Sequence, residues 1–329
     1  MFTRPTNVGD AEIVSVLGER WGLNVVTLAY LAVGFGSHHW RATTAAGMWF
    51  VTLDDLVAKR REPGHDARDT RAQLVAALAT AAALHDADFE FVVAPVPTRG
   101  GQMVCDLGDR YAVSVYPNIE GRTYDYGSYS DTAHRNAVLD NLARLHRAPV
   151  ACRRLALTET FSISRRAELS ASYSQLQTRW RTGPFADPAR RLLAQHADAV
   201  AGAFKTYDAL TIEVTAQSQR FVLTHGEPHP ANTITTDDGV VLVDWDTTLI
   251  APPERDLWDL VADEPTVSAE YEVLTGTTVN DDAVELYRLA WDLNEIAIYV
   301  SDFRRPHERT EDTSEAWQNL QHFLDPSRW

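Results

Sequence analysis

The sequence predicts an α+β protein of two lobes, a small N-terminal β-rich lobe followed by a larger, mostly helical one. Three observations carry that reading. The first third of the chain alternates apolar, strand-like runs with tight turns. After Pro117-Asn118-Ile119-Glu120-Gly121 the composition becomes helical, and one short all-strand passage, residues 221–243, interrupts the helices. The expected boundaries are residues 1–116 for the first lobe, 117–121 for a connecting hinge and 122–329 for the second. A chain of 329 residues, 45% of them hydrophobic, can bury a sizeable core in one large domain or two lobes sharing a cleft.

In order, Ala11 to Trp21 carries a short helical pattern and Val25 to Val33 an extended apolar run. Trp40 to Thr44 and Met48 to Asp54 flank an Ala-Ala-Gly turn and read as a hairpin. Asp66 to His85 is an Ala/Leu helix without Gly or Pro. Phe91 to Val93 reads as a strand, and Gln102 to Asp106 pairs with Tyr111 to Tyr116 across Leu107-Gly108-Asp109. Asp131 to Arg147 sets Val138, Leu142 and Leu145 on one helical face. Ser164 to Trp180 and Asp187 to Leu210 are further helices, separated at Gly183-Pro184. Phe221 to Thr224, Thr233 to Thr236 and Val240 to Val243 are the strands of the interruption. Helices return at Leu257 to Ala262, Asp281 to Phe303 and Thr313 to Leu324. Internal repeats and low-complexity tails are absent.

Charge narrows the function. Thirty basic against 46 acidic side chains leave a formal charge of −16, the wrong sign for a surface facing nucleic-acid phosphates. Only acids lining a cleft could select a cationic ligand, because distant surface charges are screened within about 8 Å. The longest apolar candidate, the Ala-rich Leu74 to Leu84, falls short of the roughly 18 residues of a membrane span, and MFTRPTNVGD lacks a signal-peptide core. Cys105 and Cys152 show no metal or redox spacing. A cytoplasmic enzyme or binding protein without nucleic-acid or membrane partners is the expectation.

The chemistry concentrates in Thr224-His225-Gly226-Glu227-Pro228-His229-Pro230-Ala231-Asn232, followed by Val241-Leu242-Val243-Asp244-Trp245-Asp246. A strand feeds a polar, Pro-stiffened loop, and a hairpin returns a second carboxylate to the same spot, so Glu227, Asn232 and Asp244 converge. A carboxylate beside a carboxamide and a second carboxylate can orient a hydroxyl and hold Mg²⁺ through oxygen, which is the equipment of phosphoryl transfer. A polar turn cluster capping a helical domain would explain a loop but not this ordered set. Zinc fits poorly: the His-x-Glu of deaminases needs a later Pro-Cys-x-x-Cys, and His-Glu-x-x-His is absent.

HGEPHPAN followed by VDWD resembles the aminoglycoside phosphotransferase/choline kinase family of the protein-kinase-like fold, in its antibiotic phosphotransferase branch. The resemblance covers most of the chain and implies an ATP- or GTP- and Mg²⁺-dependent kinase, with residues 1–116 as the nucleotide-binding lobe. It implies Glu227 as the catalytic carboxylate, where the family usually has Asp, and Asn232 and Asp244 as the metal ligands. Asp256, in APPERDLWDL, would brace the catalytic loop; His225 would be structural, and His229 either structural or functional. Gly34, Gly36 and Ser37, in Val33-Gly34-Phe35-Gly36-Ser37-His38-His39, would cradle phosphate with backbone N–H groups and a hydroxyl. The Pro117 carbonyl and the Ile119 N–H would meet the base, since Pro has no N–H to offer.

The chain departs from the family in two places. Beyond Glu for Asp, which moves a carboxylate by about 1 Å where misplacement of that size can cost on the order of 10²-fold, Thr52 stands near the position of the family's strand lysine. The helix that should supply its glutamate contains none. Lys59, Arg41 and Arg71 are the candidates to meet phosphate in its place.

On the substrate side, Asp292, Glu295, Tyr299 and Asp302 fall within an arc of roughly 80° on the Asp281 to Phe303 helix, beside Trp291. Leu289, Leu293, Ile296 and Val300 form a separate apolar stripe. An acidic, aromatic strip suits a cationic small molecule such as an aminoglycoside or aminocyclitol antibiotic, with another small hydroxylated amine or sugar metabolite as the alternative acceptor. Trp180, Trp258, Asp263 and Glu264 are further candidates. The competing class is a non-catalytic nucleotide- or drug-binding pseudokinase.

Overall fold

The computed structural model describes residues 1–34, 36–60, 64–325 and 328. In the N-terminal lobe a helix α1 (Asp10–Val16) runs into a wider turn over Leu17–Trp21, closed by Gly22 at φ 75°. Strands β1 (Val25–Leu31), β2 (Ser37–Thr44), β3 (Gly47–Asp55), β4 (Cys105–Leu107) and β5 (Tyr111–Pro117) make an antiparallel sheet of order β1-β2-β3-β5-β4. Alternation sorts the two faces. Trp40, Ala42, Val51, Leu53, Val113 and Val115 pack under Ile13 and Leu17, while Thr52, Asp54 and Ser114 lie on the alternate positions of the other face.

Helix α2 (Ala67–His85) covers part of that other face. Asp66 caps it, accepting from the Arg68 and Asp69 N–H groups. Leu74 and Leu78 pack on Leu56, Val104 and Ala112, whereas Ala81 and Leu84 enter the core of the second lobe. The strand expected at Phe91–Val93 is reduced to a single bridge, Val92 to Leu242, with Leu242 N–H donating to the Phe91 carbonyl at 2.7 Å. This segment pairs with the second lobe and is stopped by Pro95 and Pro97.

The second lobe comprises β6 (Arg122–Thr123), α3 (Thr132–Leu145), α4 (Val150–Arg153), β7 (Leu157–Thr158), α5 (Arg166–Tyr173), α6 (Ala186–Thr215), β8 (Val222–Thr224), β9 (Thr233–Thr236), β10 (Gly239–Leu242), β11 (Leu249–Ala251), α7 (Glu254–Asp263), α8 (Val267–Thr275), α9 (Asp281–Phe303) and α10 (Glu311–Phe323). Its strands form two small sheets, β10-β9-β6 and β7-β11-β8. Helices α5, α6, α9 and α10 share one apolar core, and α3, α7 and α8 share another with Leu223, Leu242 and Trp245. The helix expected over Ser164 to Trp180 ends at Tyr173. There the Ser172 and Ser174 hydroxyls bond the Leu169 and Ala171 carbonyls, offering the backbone an alternative to helix. Helix α8 was not anticipated; Gly276, left-handed at φ 74°, terminates it. Among the described residues no helix is long and apolar enough to cross a membrane.

Candidate functional site

The loop after β8 is held from beneath. Asp256, on α7 and buried, accepts the His225 N–H at 2.8 Å and the Gly226 N–H at 2.6 Å, and pairs with His146 Nε2 at 3.1 Å. Burial works against that carboxylate, but the hydrogen bond and charge of His146, with the Arg255 guanidinium, hold it below the usual range. Arg255 donates to Thr224 Oγ1 and to the Thr247 carbonyl, both at 2.9 Å. Gly226 sits at φ 107°, and a Cβ there would run into the Arg255 guanidinium. His225 is fully buried: Nε2 lies 2.9 Å from the Val243 carbonyl and Nδ1 is 3.2 Å from the Glu227 N–H. Those partners require the neutral Nε2–H tautomer, and burial lowers its pKa accordingly. Its place is inside the scaffold, as a structural residue.

The same network brings the three motif residues together. Asn232 Nδ2 donates to the Glu227 carbonyl at 3.0 Å, and the Val243 N–H donates to the Asn232 carbonyl at 3.0 Å. Asp244 follows directly in the left-handed region at φ 65°, a conformation Asp tolerates better than most residues. The residue as a whole is exposed, while its carboxyl is crowded by neighbouring side chains. Desolvation, then the charges of Asp246, Glu227 and Asp54, push its pKa well above the carboxylate range, although Lys59 opposes them. Glu227 is half-buried, 4.0 Å from His229 Nε2. His229 receives the Asn232 amide at 3.3 Å on Nε2, leaves Nδ1 buried without a partner, and is driven by burial down to about 4.

Opposite this floor stands Lys59. Its ammonium lies 2.6 Å from Asp54 Oδ1 and 2.5 Å from Asp246 Oδ2. Burial alone would lower its pKa, but Asp246, Asp54 and Asp244 outweigh it and push the value up, so the group is charged. Ser37 is buried and donates its hydroxyl to the same Asp54 Oδ1 at 2.8 Å, rather than presenting it to the cleft. Gly34 and Gly36 are exposed at φ 67° and 89°, and Phe35 between them lies outside the described residues. Of the other candidate cations, Arg71 is bonded to Asp106 and Arg41 is exposed on β2 opposite Phe50. Thr52 is buried beside His39 Nδ1 at 3.4 Å. Pro117 ends β5 opposite Trp49, and Ile119 is half-buried two residues on.

The substrate strip differs from expectation. Asp292 is buried and neutralised by Arg328 at 2.5 Å and Arg288 at 3.3 Å, and Tyr299 is buried against Phe323 with its hydroxyl accepting from Asn319. Arg328 and α10 cover this part of α9, so neither side chain is offered to a ligand while those contacts hold. Asp302 pairs with Arg165 and Arg305. Trp291 and Glu295 are half-buried. Trp291 stacks on Tyr126 with rings 11° from parallel, lies 6.0 Å from Trp258, and Tyr126 in turn meets His229 edge-on. Burial pushes Glu295 up to about 7 despite the Tyr299 hydrogen bond, and burial with Asp263 pushes Asp259 up to about 6. Trp180 belongs to the helical core, Asp263 accepts from Ser128 and Glu264 pairs with Arg135. Tyr126, Asp259, Asp54 and Asp246 were missed by sequence reasoning. Asp246 carried a signal in the repeated Asp of VDWD, and Asp259 in its spacing of three from Asp256.

Known proteins resemble this chain in sequence and in fold. Residues 31–288 match the APH phosphotransferase enzyme family. Protein StrN of Streptomyces griseus is 28% identical over 250 residues, which cover 72% of this chain and 73% of that protein. Among solved structures, a spectinomycin phosphotransferase in complex with ADP and spectinomycin superposes with a TM-score of 0.75 at 17% identity, over 98% of this chain and 96% of the other. The choline kinase LicA of Streptococcus pneumoniae gives 0.57 at 16% identity, over 96% and 98%. At such identities the structural likeness is one of fold. The family match spans most of the chain, and this protein is therefore a member of the phosphotransferase enzyme family, built on the protein-kinase-like fold.

Proposed function

We propose that this protein transfers the γ-phosphoryl group of ATP or GTP to a hydroxyl of an aminoglycoside or aminocyclitol antibiotic, conferring resistance or self-protection in the cytoplasm. The observation that supports the reading is the pair of hydrogen bonds that ties Glu227 to Asn232 and Asn232 to Val243, the residue before Asp244, on one braced loop and hairpin. Residues 1–116 then serve as the nucleotide lobe, 117–121 as the hinge and 122–329 as the catalytic and substrate lobe. Gly34 and Gly36 receive phosphate, and the Pro117 carbonyl and Ile119 N–H receive the base.

Among the described residues no cluster of three or more His, Cys, Asp or Glu is arranged to hold a metal. Magnesium commonly takes one or two protein oxygens and completes its shell with phosphates and water, so a site of Asn232 and Asp244 fits it. The crowding of negative charge that drives Asp244 towards protonation also favours a cation there. Bound Mg²⁺ would neutralise charge developing on the phosphates. Glu227 accepts the acceptor hydroxyl's proton as oxygen attacks phosphorus and the bond to the leaving diphosphate breaks. Lys59 supplies a positive charge to the phosphates. Trp291, with Tyr126 and Trp258, presents aromatic faces, and Glu295 a carboxylate, suited to a protonated amine.

The names of similar proteins, which include spectinomycin and amicoumacin kinases, favour an antibiotic acceptor. Incubation with ATP or GTP, Mg²⁺ and a panel of aminoglycosides, aminocyclitols and simple amino alcohols, read by mass spectrometry, is expected to yield one class of phosphorylated antibiotic. Nucleotide or drug binding without turnover across that panel would favour a pseudokinase instead.

A further inference from the structure

The cleft combines three carboxyls, those of Asp54, Asp244 and Asp246, with one ammonium. A polyphosphate entering such a place needs a cation brought to it and held there. The chain contains only two lysines, Lys59 and Lys205, and Lys205 lies on α6. We propose that Asp54 is the positioning residue that holds Lys59 for phosphate, so that an ion pair assembled from the end of β3 and the turn after it binds the nucleotide's phosphates. This inference rests on the phosphotransferase reading above.

Three sets of contacts support the pair. The turn itself is rigid: Asp55 Oδ1 accepts the Val57 and Ala58 N–H groups at 3.0 and 3.1 Å, and the Lys59 N–H donates to the Asp55 carbonyl at 2.9 Å. The opposite lobe grips the same turn, Arg165 donating to the Ala58 carbonyl at 3.3 Å and Ser164 to the Arg60 carbonyl at 2.9 Å. The third set involves Asp54, whose side chain is only 3% exposed and accepts from both Ser37 and Lys59 on one oxygen. The residue that opens β2, immediately beyond the exposed glycines, is thereby tied to the ammonium.

An ammonium has three donors. Two face Asp54 and Asp246, which leaves the third for an incoming oxygen, and a phosphate can also replace Asp246 on the open side. Asp54 cannot be displaced so easily, because it is buried and shares its oxygen with Ser37. Removing Asp54's charge therefore frees the Lys59 side chain, whose flexible stem is costly to order, and weakens phosphate capture without touching the base.

The experiment compares binding of AMP-PNP and adenosine, with GMP-PNP and guanosine run in parallel, by calorimetry with wild type, Lys59→Ala, Lys59→Arg and Asp54→Asn. Lys59→Ala and Asp54→Asn are expected to weaken the triphosphate analogue by about tenfold or more while the nucleoside stays within about twofold. Lys59→Arg keeps part of the affinity. Equal losses for analogue and nucleoside would indicate a merely structural role and overturn the proposal, as would unchanged triphosphate binding in Lys59→Ala or in Asp54→Asn. Wild type that binds neither nucleotide overturns the functional reading together with this one, whereas wild type that binds AMP-PNP or GMP-PNP beside an unaffected Lys59→Ala overturns this one alone.

Discussion

The two walls of the cleft are built in opposite ways. On the second-lobe side, the HGEPHPAN loop and the VDWD hairpin rest on a buried lattice of His146, Asp256, Arg255 and His225, each polar atom answered by a short, directed bond. On the first-lobe side, the positive charge arrives from a surface turn, is held by carboxylates from both lobes, and stands beside a strand position occupied by Thr52. Where buried hydrogen bonds enforce geometry, each side chain is tied to one backbone position. Where a long flexible side chain can reach one point from several backbone positions, the source of the charge is free to move.

The sharpest test of that contrast is Asp244→Asn. Turnover is expected to fall on the order of 10³-fold, the scale for removing a preorganised electrostatic contact. The melting temperature is expected to rise at neutral pH, because a carboxyl whose folded pKa lies above its unfolded value destabilises the fold once ionised. Unchanged turnover would remove Asp244 from the metal site. Next in size, Asp256→Ala leaves two buried N–H groups and His146 without their acceptor and is expected to cost roughly 3–5 kcal/mol in urea unfolding. A loss below about 1 kcal/mol would mean the lattice does not brace the loop.

The smallest effect concerns the substrate wall. Glu295, pushed up to about 7, is mostly neutral at pH 6 and mostly ionised at pH 8. A cationic acceptor should therefore bind about tenfold more weakly at pH 6, and Glu295→Gln should flatten the profile. Because the folded value lies above the unfolded one, the carboxyl destabilises the fold increasingly as pH rises from about 4.5 to 7. Glu295→Gln is accordingly expected to raise the melting temperature at pH 8 and not at pH 4. A profile still steep in the variant assigns the titration elsewhere, with Asp259 the neighbouring alternative.

How much was legible follows the range of the interactions. The join of Glu227, Asn232 and Asp244 could be read because a strand, a loop and a hairpin bring together residues less than twenty apart. Asp256 was legible through its motif. Lys59 appeared only as one of three candidates, because nothing in the sequence reveals that Arg71 is consumed by Asp106. The burial of Asp292 depends on Arg328, 36 residues away, folding back over α9. Helical periodicity places Asp292 on a polar arc correctly but cannot see what covers that arc. Tyr126 and Trp258 were joined to Trp291 only by the packing of α7 and the residue 124–130 loop against α9.

Helix α2 has one end in each core: Leu74 and Leu78 belong with the first-lobe sheet, Ala81 and Leu84 with Val138 and Leu142 of the second. A rod sunk at both ends resists being bent or pulled out, so the halves cannot drift apart as independent bodies. Whatever breathing opens the cleft has to swing about this rod, near the turn of helix between Leu78 and Ala81. Small-to-large substitutions there should jam the motion without touching a single ligand-facing atom.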